Sequence, residues 1–135
     1  MRILGIDYGE ARTGLAISEG TLATAKETLR ERDPQKLSRQ VAAICRAEKI
    51  ETIVLGLPKN MDGTEGFRAE ATRRFSALLQ EQLPDVDIEF YDERLTTVAA
   101  SQLMIEAGTK SKKKKGIIDA LSAQLILQDY LDYKK

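Results

Sequence analysis

Apolar positions along this chain fall into short runs and helical stripes that alternate. Ile3, Leu4 and Ile6 lead into Asp7, and Leu15, Ala16 and Ile17 follow Gly14, so Arg2 to Asp7 and Gly14 to Ser18 read as two strands joined by a short turn. A weaker third strand is read over Leu22 to Leu29. Asp33 followed by Pro34 is a helix cap with proline in the first turn, and Leu37, Val41, Ile44 and Cys45 mark one face of a helix ending near Glu48. Thr52 to Leu57 is a short β-branched apolar run stopped by Pro58, the pattern of a strand buried on both faces. Gly63 and Gly66 bracket the loop after it. Phe67, Ala71, Phe75, Leu78 and Leu79 outline a second helix that ends before Pro84, and Val86 to Tyr91 gives the last strand. Helices over Thr97 to Ala107 and Ile117 to Tyr133 complete the chain.

This order predicts one α/β domain over residues 1–135, a mixed sheet with helices on both faces. A chain of 135 residues with 42% hydrophobic content suits a single core, and neither an internal repeat nor a linker interrupts it. In such sheets the functional crevice lies beyond the carboxyl ends of the strands. Asp7, the Leu57 to Gly63 loop and the Asp92, Glu93, Arg94 cluster all follow strand ends and are expected to converge there.

Composition narrows the chemistry. Lys+Arg 21 balances Asp+Glu 21, so any affinity for nucleic acid must come from a local patch. With His 0, triads, acid–base pairs and zinc sites built on histidine are excluded, and carboxylates, lysines and metal ions remain as tools. Cys45 is the one cysteine; it cannot form an internal disulfide and is expected to pack in a core, in a reducing compartment. The start does not resemble a signal peptide and no apolar run approaches membrane-spanning length, so a cytoplasmic protein without membrane contact is expected.

Three acids stand out. Asp7 at the end of a buried strand is costly unless a cation meets it, although Asp followed by Gly9 also suits a simple turn. Asp92-Glu93-Arg94-Leu95-Thr96-Thr97 could be a polar turn in which a threonine caps the next helix. Asp119 interrupts Ile117, Ile118, Ala120 and Leu121 near a helix start, where the helix dipole alone would favour an acid. Together Asp7, Glu93 and Asp119 form a carboxylate set without nitrogen or sulfur partners, which suits Mg²⁺ or Mn²⁺. Two such ions about 4 Å apart can activate water and stabilise a leaving oxygen, which makes phosphodiester hydrolysis the leading reaction class.

The segments I-D-Y-G-E-A-R-T-G-L-A-I-S from Ile6, V-L-G-L-P-K-N-M-D-G-T-E-G from Val54, D-E-R-L-T-T from Asp92 and D-A-L-S-A-Q-L-I-L-Q from Asp119 resemble those of the YqgF family, also called RuvX, of Holliday-junction-resolvase-like nucleases. The resemblance runs in order over nearly the whole chain. It implies an RNase H-like fold with a five-stranded mixed sheet flanked by helices, and a role in maturing the 5′ end of pre-16S rRNA. It also implies that Asp7, Glu93 and Asp119 are catalytic and bind the metal, Mg²⁺ or Mn²⁺. The chain has Ser122 where the family motif often has alanine. In related resolvases an acid ends the strand beside the first one; here that strand ends in Gly56, Leu57, Pro58, so Glu93 would have to take its place from another strand. Asp62 is either an extra ligand or half of an Asp-Gly turn, and stays outside the core site.

Arg12, Lys59 and Arg94 are candidate phosphate contacts, Arg94 through a bidentate fork. Lys112, Lys113, Lys114 and Lys115, with Lys110, read as a solvated, self-repelling loop beside Asp119 that can also clamp nucleic acid electrostatically. Phe67, Phe75 and Phe90 read as core, which leaves no stacking platform and points to recognition by backbone and shape. Three functions fit: a metal-dependent nuclease on structured RNA or branched DNA, a non-catalytic nucleic-acid-binding factor in ribosome assembly, and a nucleotide phosphatase using the D-x-G turn. The last lacks a G-x-x-x-x-G-K-[ST] loop and the second lobe of an actin-like ATPase. Nucleic acid and the ribosome or its precursor are the expected partners, and the chain is expected to be a monomer or a weak homodimer.

Overall fold

A computed structural model of the chain describes residues 1–95 and 112–134, and in the second stretch the side chains from residue 118 onward. The elements are β1 (Ile3–Asp7), β2 (Thr13–Ser18), β3 (Ala23–Leu29), α1 (Pro34–Glu48), β4 (Thr52–Leu57), α2 (Phe67–Gln82), β5 (Asp87–Asp92), a 3₁₀ turn (Glu93–Leu95) and α3 (Lys112–Tyr133). The strands form one mixed sheet in the order β3-β2-β1-β4-β5. β1 runs antiparallel to β2, with Asp7 opposite Gly14, and parallel to β4; β4 runs parallel to β5, with Leu57 opposite Asp92. The parallel strands β1, β4 and β5 therefore end at the same edge of the sheet.

The alternation of side chains along each strand divides the core in two. Leu4 and Ile6 of β1 and Ile53 and Leu55 of β4 face α1 and α2, where Leu37, Val41, Cys45, Phe75 and Leu79 meet them. Ile3, Ala16 and Val54 face α3, against Ala123, Ile126, Leu127 and Tyr130. Gly5 belongs to this second face, and a Cβ there would stand 2.8 Å from the Leu127 Cβ, so its lack of a side chain lets α3 lie close on the sheet. Every residue of β4 is buried, as an apolar run in the middle of a sheet requires. At the start of α1, Asp33 accepts a hydrogen bond from the Gln35 backbone N–H at 2.9 Å.

Three expectations change. Phe67 and Phe90 are not core: they are 68% and 36% exposed. Phe67 is the first residue of α2, and Phe90 lies on the edge strand β5 beneath the Arg73 guanidinium, 4.8 Å from its ring centre. The backbone at Lys112 to Lys115 is helical rather than a loop, because a lysine side chain loses little freedom in a helix; Asp119 thus sits two turns inside α3 instead of at its start. The helix expected over Thr97 to Ala107 and the side chains of Lys110 and Lys112 to Lys115 lie outside the described residues. No helix among the described residues is long and apolar enough to cross a membrane.

Candidate active site

The period of β1 decides which way its last residue faces. Ile3 and Gly5 look toward α3, so Asp7 does too, and α3 carries Asp119. Glu93 arrives from the other end of the parallel half-sheet as the first residue of the 3₁₀ turn after β5. Its side chain reaches back across the end of β4: Cγ and Cδ stand 3.0 and 3.1 Å from the point where a Cβ on Gly56 would be. α3 is seated on β2 just as tightly, since a Cβ on Gly14 would overlap the Asp119 carbonyl oxygen. Two glycines thus leave the room into which Glu93 and the backbone of Asp119 fit.

The three acids share one electrostatic field. Burial, and after it the charges of Glu93 and Asp119, push the Asp7 carboxyl up to about 7, against the opposing pull of Arg68. Burial also raises Glu93, opposed by Arg68 and assisted by Asp92. Asp119 is raised by burial and held back by Arg12 and Arg30. Arg12 Nε lies 3.0 Å from Asp119 Oδ2. It stands off the hydrogen-bonding direction, so this buried oxygen has no hydrogen-bond donor among the described residues.

A buried carboxylate oxygen without a donor, in an all-oxygen set whose charges repel one another, fits a hard divalent cation. Among the described residues no three acids stand close enough to make a finished ligand cage. A cation would remove the repulsion that now works against their approach.

The predicted basic residues divide. Arg12 is in the site, beside Asp119. Arg94 is engaged elsewhere: Nε and Nη2 bond the Asp92 carboxylate at 2.6 to 3.1 Å, and Nη1 reaches the Met61 carbonyl at 3.3 Å. It ties the end of β5 to the loop after β4. Lys59, in that loop, is half-buried and acts on Asp92 and Glu65. Asp62 makes a turn, its Oδ1 accepting from the Thr64 backbone N–H and hydroxyl at 3.0 and 2.6 Å, as an Asp-Gly pair suggests. Sequence reasoning missed Arg68 and Arg30. Arg68 had a readable signal, because it stands in the first turn of the helix that follows β4 and so beside the crevice.

The profile of the RuvX family, described as Holliday junction resolvase, matches residues 1–133. A protein of Acetivibrio thermocellus named "Putative pre-16S rRNA nuclease" is 46% identical over 137 residues, covering 99% of this chain and 97% of that protein. One of the same name from Halothermothrix orenii is 43% identical, covering 99% and 96%. Among solved structures, T. thermophilus RuvC in complex with Holliday junction substrate superimposes with a TM-score of 0.65 at 14% identity, covering 100% of this chain and 97% of that one. The fowlpox virus Holliday junction resolvase gives 0.61 at 11% identity, covering 100% of both. These likenesses show the fold: the five-stranded sheet is RNase H-like.

Proposed function

Since the chain belongs to the RuvX family, we propose that it is a nuclease that hydrolyses phosphodiester bonds in pre-16S rRNA, processing its 5′ end with Asp7, Glu93 and Asp119 as the metal-binding, catalytic acids. The observation that supports this reading is that Asp7, at the end of a parallel strand, has its carboxyl raised by burial and by the charges of both Glu93 and Asp119, with an Asp119 oxygen that has no hydrogen-bond donor among the described residues. The three carboxylates would hold Mg²⁺ or Mn²⁺, which when bound polarises the phosphate and activates water.

The protein's own groups do the rest. Burial and the charges of Glu93 and Asp119 raise the metal-free Asp7 carboxyl to about 7, and a bound cation would remove that cost and hold Asp7 ionised as a ligand. Arg12 and Arg68 offset the charge of the acids, so that a phosphate can approach a site that would otherwise repel it. Lys59 and Lys112 to Lys115 supply contacts to the nucleic-acid backbone, which position a strand without reading its bases. The precursor of the small ribosomal subunit is the partner this activity implies, and one copy of the chain suffices for it.

Cleavage of a labelled pre-16S rRNA fragment and of a four-way DNA junction, each with Mn²⁺, Mg²⁺ or EDTA, tests the reading. Metal-dependent cutting of the RNA that disappears in folded Asp7→Asn supports it. Cutting of the junction alone would replace the substrate, and binding of RNA without cutting at high enzyme concentration would replace catalysis with an assembly role.

A further inference from the structure

Tyr8 follows Asp7 directly but packs on the opposite face of the sheet, against the α1 and α2 layer. Its ring stacks on Phe75 with centroids 4.5 Å apart and planes 13° from parallel. Phe75 is fully buried, so it holds Tyr8 in one orientation. Beside this pair, between the first turn of α1 and the middle of α2, is an open cavity of about 480 Å³ lined by Tyr8, Pro34, Gln35, Arg74, Phe75 and Leu78. Its walls are mainly apolar, with one guanidinium and one amide at hand. That volume and lining suit a flat heterocycle.

The cavity adjoins a second, smaller pocket on the part of α2 that carries Arg68. Tyr8 and Ala71 line both, the second also includes Glu10, Phe67 and Arg68, and the charge of Arg68 is felt at both Asp7 and Glu93. Phe67, Ala71, Arg74 and Leu78 recur at helical spacing, so one stripe of α2 runs along both pockets. Arg68 and Arg74 are six residues apart, about 9 Å along the helix, a separation that two long guanidinium side chains can shorten to the spacing of neighbouring phosphates. An apolar peptide would gain nothing from two cations leading to a carboxylate site, whereas a nucleic-acid strand uses both the cations and the aromatic face.

On the nuclease reading, we propose that the cavity between α1 and α2 receives one unpaired nucleobase of the strand being cut, stacked on Tyr8, while Arg68 and Arg74 hold the phosphates on either side of it. The base does not have to be of one kind, because stacking accepts any π-face. The enzyme then places its cut by the distance from an unpaired nucleotide rather than by sequence.

Fluorescence anisotropy with Asp7→Asn protein in EDTA, conditions chosen to prevent cutting, tests this. The probes are an RNA hairpin with a single-stranded 5′ extension, the same RNA with one abasic site stepped along the extension, and a blunt hairpin. One abasic position should weaken binding about tenfold, the effect of losing one base–aromatic stack. Adding Tyr8→Leu should remove the difference between that abasic RNA and its parent. Arg74 is exposed and its substitution leaves the core intact, so Arg74→Gln should weaken the extended RNA severalfold and leave the blunt hairpin unchanged. If no abasic position matters, or if the difference survives Tyr8→Leu, the subsite is overturned while the nuclease reading stands on cleavage. If none of the RNAs binds, both are overturned.

Discussion

Glu93 lies over Gly56, its Cγ and Cδ 3.0 and 3.1 Å from the place a side chain at position 56 would begin. β4 ends without an acid, and the residue that supplies one from β5 uses the volume that the missing side chain leaves. The two positions therefore act as a unit: the glycine is the space in which the carboxylate stands.

Gly56→Ala should separate placement from binding. The new methyl group would push Glu93 by a few tenths of an ångström, and a shift of this size at a reacting group lowers the cleavage rate by roughly tenfold. It would also press on Ile126 Cδ1, 2.8 Å away, at a cost of about 1–3 kcal/mol in stability. Single-turnover cleavage should fall while RNA affinity stays within about twofold; equal loss of both would mean that the site does not depend on this contact.

Asp7→Asn should abolish cleavage and stabilise the protein. The folded state raises the Asp7 carboxyl from 3.8 to about 7, so the native state binds the proton more tightly than the unfolded state does. The favourable contribution is complete below about pH 3.8 and is lost as pH rises through about 7. In EDTA the variant should therefore match wild type near pH 4 and exceed it above pH 7, by roughly 2 kcal/mol or more at about 1.4 kcal/mol per tenfold change in proton affinity. Urea unfolding at the two pH values measures this, and a gain equal at both would remove burial of charge as the cause.

Arg94→Lys keeps the charge and loses the fork that grips Asp92 and Met61. The loop after β4 should then be cut faster by trypsin at Lys59. Because Arg94 is engaged by the protein itself, RNA affinity and its salt dependence should hardly change. A salt slope reduced in the uncharged Arg94→Gln would instead place Arg94 on a phosphate.

The sheet was readable because its strands are written as separated apolar runs; Thr52 to Leu57 has the same limits in sequence and structure. That Asp7, Glu93 and Asp119 belong together was expected from two strand ends, a helix start and the resemblance; the charges of Glu93 and Asp119 are felt at Asp7, but no three acids among the described residues stand close enough to hold a metal ion. How Glu93 crosses to Gly56 was not readable, since it depends on the register of β4 against β5 and on the direction taken by a turn after the last strand. Nor was the exposure of Phe67: helical spacing names the stripe a residue belongs to, but not the point where a helix outruns the sheet beneath it. The contiguity of Tyr8 with α1 and α2 is likewise a property of layers, which no local pattern records.

The contact of Gly14 with Asp119 also has a bearing on safety. Asp7 and Glu93 belong to the sheet and its edge, whereas Asp119 belongs to α3 and reaches them only while that helix is seated on β2. Any lifting of α3 takes Asp119 away from Asp7, whose carboxyl feels its charge. On the proposed reading, a chain whose α3 has not docked lacks one of its three acids, and an activity aimed at a ribose–phosphate backbone would be confined to molecules that have finished folding.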